Sequence, residues 1–150
     1  MSRGLALALA ALALPAVAAT ASPTRDTAEA RYSPAYHRCL AAAPKSELPY
    51  AYAMAECNFT EEALQDKALN QAYRRAMAAL PAARKAALRT EQRRWIKDHD
   101  AACADAHQDE GEDGRILYTE CLLHETVYRT LELERLAGRP RSSAQEKPHP

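Results

Sequence analysis

Four cysteines fall into two pairs with the same internal spacing. Cys39 and Cys57 are eighteen positions apart, and so are Cys103 and Cys121. What they become depends on where the chain is sent. It begins MSRGLALALAALALPAVAATAS, with Arg3 ahead of an unbroken apolar run over residues 5–14 and small residues after Pro15. That is the pattern of an export leader over residues 1–21, and either AVA (16–18) or ATA (19–21) suits a signal peptidase. The apolar run is short for a membrane span, which needs about 20 residues. No stable membrane insertion is expected once the leader is removed. The first cysteine is Cys39, far from the cleavage region, which argues against a lipid anchor. A periplasmic or secreted protein is expected.

Export decides the cysteine chemistry. Thiols that reach an oxidising compartment pair as disulfides, whereas structural zinc sites usually bring close C-x2–4-C pairs. Spacings of eighteen fit the first reading. A short mature chain buries only a modest core, so cross-links matter to its stability.

Between the cysteines the sequence is rich in Ala, Leu, Arg, Glu and Gln and poor in Gly and β-branched residues. Such a composition favours helix throughout. Ser33 followed by Pro34 reads as an N-cap and first helical position, and Pro44 ends that short helix. A second helix is expected over residues 49–79, with Met54, Leu64, Ala68, Tyr73, Ala76 and Leu80 as its apolar stripe. Pro81 breaks the pattern, and a third helix follows to about His107, with Leu88, Gln92, Trp95, His99 and Ala102 on one face. An acidic, glycine-containing loop, HQDEGEDGR (107–115), leads to a fourth helix over residues 116–136 that buries Leu117, Cys121, Tyr128 and Leu131. The fold expected is all-α: a small disulfide-stapled bundle of one short and three longer helices over residues 33–137, with residues 138–150 as a disordered tail.

On this layout a Cys39–Cys57 bond would tie the short first helix to the second, and a Cys103–Cys121 bond would close the acidic loop. Each would contribute about 3 kcal/mol by the chain-entropy argument. These local pairs are favoured, and the other two connectivities stay open, because sequence alone does not choose.

Charge excludes some partners. Lys plus Arg equals Asp plus Glu, 20 of each, so no nucleic-acid partner is implied. The charges are unevenly placed: a basic run occupies residues 84–97 and an acidic run residues 105–120. No enzyme is expected, because the five histidines are scattered and neither H-E-x-x-H nor G-x-S-x-G occurs. Nothing in the sequence calls for a cofactor. One metal reading competes with a plain loop. Residues 109–120 align with a calcium-binding EF-hand loop at Asp109, Asp113, Gly114 and Glu120, but Gly111 stands where a third-position ligand belongs. Any calcium binding would be weak.

The second half also resembles a known family. AMAEC ending at Cys57, LNQAY with Asn70 and Tyr73, and LRTEQRRWIKDHDAAC with Leu88, Gln92, Trp95, Asp100 and Cys103 carry the likeness. It continues through CLLHETVYRTLEL with Cys121, Thr126, Arg129 and Glu132. This set is similar to the LprI-like lysozyme inhibitors, in their N-terminal-domain form. The resemblance implies a small, exported, disulfide-linked helical protein whose partner is a lysozyme. Asn70, Tyr73, Gln92, Trp95, Asp100, Thr126 and Arg129 would then be structural family-motif residues, with Gln92, Trp95, Asp100, Thr126 and Arg129 forming a buried polar network. One departure is His99, where the family usually has Arg before the Asp; a pairing there would be pH-dependent.

Lysozymes of the animal type are basic and work through two carboxylates in a cleft. The acidic residues Asp109, Glu110, Glu112 and Asp113 are the candidate partner-binding loop, with complementary charge speeding encounter, against the alternative of a plain solvated connection between two helices. The competing reading is a structural or interaction protein of the periplasm with no enzyme target.

Overall fold

The computed structural model describes residues 25–107 and 111–138. Five α-helices follow one another: α1 (Arg25–Glu29), α2 (Pro34–Ala42), α3 (Tyr50–Ala79), α4 (Ala82–His107) and α5 (Gly111–Gly138), with a 3-10 turn at Ala43–Lys45. No strand occurs among the described residues. The leader and the tail lie outside them. α1 is an addition to the four helices expected.

Ser33 caps α2 as anticipated. Its backbone is extended, its hydroxyl accepts the Tyr36 N–H, and Pro34 fills the first turn, where a missing N–H costs nothing. The break after α3 is set by Pro81. Leu80 before it takes an extended ψ of 150°, because the proline ring disfavours a helical conformation in the preceding residue.

α3 and α5 form the backbone of the molecule. Asn58 Nδ2 donates to Thr119 Oγ1 (2.9 Å) near one end, and Arg75 reaches Glu134 (3.4 Å) near the other. Both partners advance together along the chain, so the two helices run parallel. α4 is the return stroke between them. α1 and α2 help bury Tyr36, Cys57, Leu123 and Val127, while α4 closes a second cluster of Leu69, Ala72, Ala76, Leu88 and Leu133. Both disulfides form locally, Cys39–Cys57 and Cys103–Cys121, each with Cα atoms 5.7 Å apart, an ordinary bridging distance.

The buried faces differ from the expected stripes. On α3 the inward line is Ala51, Ala55, Asn58, Gln65, Leu69, Ala72 and Ala76, with Glu61 beside it, while Leu64 is 45% exposed. Small alanines let α5 approach closely, and buried polar groups are held by hydrogen bonds. On α4 the line ends at Cys103 rather than at Ala102, which is exposed, because the bond to Cys121 draws that side inward. On α5 the fully buried residues are Thr119, Leu123, Thr126, Val127, Thr130 and Leu133; Leu117, Cys121, Tyr128 and Leu131 are only partly covered.

The acidic loop is also shorter than expected. α5 starts at Gly111, whose φ of +59° suits a residue without a side chain, so residues 111–115 belong to its first turns. Residues 111–120 of the calcium-loop match are therefore helical. On a helix, Asp113 and Glu120 are about 10 Å apart along the axis. Glu120 is turned instead toward Arg25 (3.5 Å) and His124 (3.9 Å). Asp109, the first position of that match, lies outside the described residues.

Candidate functional site

α4 packs mainly on α5 and meets α3 closely only near the Leu80–Pro81 turn, where Leu88 shares a buried cluster with Leu69, Ala72 and Ala76. The two helices diverge from that turn and leave a groove of about 450 Å³ between them. Glu62, Asp66, Leu69, Asn70 and Tyr73 form its α3 wall. Arg89, Gln92, Arg93, Trp95, Ile96 and His99 form its α4 wall, and Thr126 of α5 lies at its floor. Periodicity puts each set on one helical face, since 62, 66, 69 and 73 recur at steps of three and four, as do 89, 92, 96 and 99.

The floor is fixed by α5. Buried Gln92 accepts from Arg129 Nε at 2.9 Å, and Arg129 Nη1 donates to Glu132 at 3.0 Å. The Arg129 side chain is only 11% exposed, and its Nη2 has no partner. Gln92 therefore locks α4 to α5 from within the groove. Trp95 is stacked by His99, with ring centroids 4.3 Å apart and planes 16° from parallel. His99 Nε2 lies 3.1 Å from the carboxylate of Asp100.

The α3 wall carries the charge of interest. Glu62 is half-buried, and its carboxyl is pushed above the usual range, first by burial and next by Asp66; His99 and the Thr126 hydroxyl oppose the shift. Among the described residues, no cation comes within ion-pair distance of Glu62 or Asp66, and Asp66 accepts only from the Asn70 amide, at 3.0 Å.

Five of the seven family-motif residues, Asn70, Tyr73, Gln92, Trp95 and Thr126, thus line one groove, and Arg129 stands behind Gln92. The set is not buried throughout. Asn70 is exposed and bonded within its own helix, and the Asp100 side chain is 67% exposed with His99 as its neighbour. The pairing at His99 is accordingly local to α4. Of the expected acidic loop, Asp109 and Glu110 lie outside the described residues, Glu112 falls in the first turn of α5, and Asp113 is exposed there. Sequence reasoning missed Glu62, Asp66, Arg89, Arg93 and Ile96. Their register with the motif residues on the same helices was the available signal.

A family model described as "Lysozyme inhibitor LprI" matches residues 41–133. The chain belongs to the LprI family. The matched span holds every groove residue and three of the four cysteines. It begins just after Cys39, so the Cys39–Cys57 bond fastens the preceding segment to the family core. No curated protein and no solved structure matches the chain. No described helix of this LprI member is long and apolar enough to cross a membrane.

Proposed function

We propose that this LprI-family protein is exported and binds and inhibits a lysozyme, acting by occlusion rather than by catalysis. The observation that carries the reading is the family match, which spans both walls of the groove and the Cys103–Cys121 bond. Export is supported by the leader-like residues 1–21 and by two disulfides, which persist in oxidising compartments. A basic target enzyme would be steered by the acidic start of α5, where Asp113 is exposed and Asp109, Glu110 and Glu112 are its sequence neighbours.

The test is complex formation. Sedimentation of the oxidised chain from residue 22 with an animal-type lysozyme should give a one-to-one complex that weakens as salt is raised. Two independently sedimenting species at every salt concentration would refute the reading.

A further inference from the structure

Within the proposed function, the groove between α3 and α4 has a chemistry of its own. At the end away from the Leu80–Pro81 turn, Glu62 and Asp66 stand one turn apart on α3. Arg89 and Arg93 lie nearer the turn, so charge is separated along the groove. Glu62 is faced by Asp66 on its own helix, by His99 and Asp100 on α4, and by Thr126 on α5. Thr126 hydrogen-bonds it and His99 partly offsets its charge, but among the described residues neither brings a cation into ion-pair contact. Beside it, Ile96 is 55% exposed and Trp95 partly so, giving an apolar border next to carboxylates with no cation in ion-pair reach among the described residues.

A half-buried carboxylate without a counter-ion gains more from an incoming cation than an exposed one does, because solvent and salt screen it less. A long basic side chain suits the place. Its methylenes can lie along Ile96 while its charged head reaches the acids. The pocket is also large enough for such a group and lined as ligand pockets are, by apolar walls with a few polar atoms.

We propose that this end of the groove receives an arginine or lysine side chain from a loop of the basic target enzyme, with Glu62 and Asp66 as its carboxylate partners and Ile96 and Trp95 as its apolar border. The proposal rests on the lysozyme reading for the identity of the partner, and on the groove alone for the chemistry.

Trp95 is the only tryptophan in the chain, so its emission reports on the groove directly. The oxidised chain is titrated with a capped arginine peptide, its glutamine and glutamate analogues, and a chito-oligosaccharide. A saturable change with the arginine peptide alone is expected, about tenfold weaker in Glu62→Gln/Asp66→Asn and unchanged in Asp113→Asn. Equal response to the glutamate peptide, response to the sugar instead, no response to any of them, or indifference to the double substitution would overturn the proposal. Calorimetry with an animal-type lysozyme separates the two readings. Wild-type binding that survives Glu62→Gln/Asp66→Asn unweakened sinks the groove and leaves inhibition standing. Carboxylate-dependent binding of the arginine peptide without lysozyme binding keeps the groove and removes the enzyme.

Discussion

Glu61 of α3 accepts two hydrogen bonds from Ser33, one from its N–H at 2.9 Å and one from its hydroxyl at 2.6 Å. The carboxylate is 1% exposed, and Gln65 Nε2 donates to it as well, at 2.8 Å, while also reaching the Arg31 carbonyl. The same serine that caps α2 thus anchors that cap to α3. Removing the carboxylate leaves buried donors unpaired. Glu61→Ala should cost about 3 kcal/mol in denaturant unfolding, with a slope unchanged from wild type. A loss below about 0.5 kcal/mol would mean that water replaces the carboxylate there.

Tyr36 extends this layer. Its hydroxyl donates to Asn58 Oδ1 at 2.7 Å, and Asn58 passes the connection to Thr119 of α5. Burial first, and then Glu120 and Glu61, push the Tyr36 hydroxyl from 10.0 up to about 12. The folded pKa lies above the unfolded one, so the stabilisation is complete below pH 10 and is lost as pH rises toward 12. Tyr32 is shifted in the same direction, chiefly by burial. Melting temperature should therefore fall above pH 10, and less steeply in Tyr36→Phe, whose own cost near neutrality is about 1 kcal/mol. A variant with the wild-type alkaline slope would contradict this.

Glu62 predicts a gain. Its carboxyl is raised by burial, so the protein favours the protonated form, and that preference is lost as pH rises through the folded pKa. At neutral pH the charge is a liability, as expected where a site serves a partner rather than stability. Glu62→Gln should raise the melting temperature slightly, by about 2 °C at pH 7, with the gain vanishing below pH 4. Scanning calorimetry at the two pH values decides it. A lower melting temperature at pH 7 would show that the carboxylate is already satisfied.

Of the three long helices, α4 is the most weakly held. Leu88, Gln92 and Cys103 are its buried residues among those described, and beyond the Leu88 cluster near the Leu80–Pro81 turn it leans on α5. Replacing Cys103 and Cys121 together by Ala should cost about 3 kcal/mol. Amide exchange should then quicken in the second half of α4 before any change in α3 or α5. Uniform loss of protection would mean that α4 is not an independent unit.

Gln92→Ala attacks the same seam from the other end. It strands Arg129 Nε, buried on α5, and should cost about 2 kcal/mol while leaving Tyr36 and its neighbours undisturbed. Chemical shifts that move near Tyr36 as well as near Arg129 would disprove the separation.

The parts legible in the sequence were those set by local chemistry. Ser33–Pro34 and Pro81 act over one or two turns and the cysteine pairs over eighteen residues, and each appears in the fold as read. The α3 stripe was misread because its inward face includes Asn58, Glu61 and Gln65, and an apolar period cannot register polar residues that are buried by pairing. The start of α5 was misread for a related reason. Acidic residues around Gly111 look like loop, although acids are favourable in the first turn of a helix. Nothing in the sequence singles out Glu62 and Asp66; only the divergence of α4 from α3, a tertiary effect, gives them a groove to face.

The most direct test is a lysozyme assay on suspended cell wall, titrated with the oxidised chain from residue 22 at low and moderate salt, against animal-type and unrelated bacterial muramidases. Stoichiometric inhibition of a basic animal-type enzyme, weakening with salt, is the result expected. Undiminished turnover by every enzyme at a large excess of the protein would contradict it.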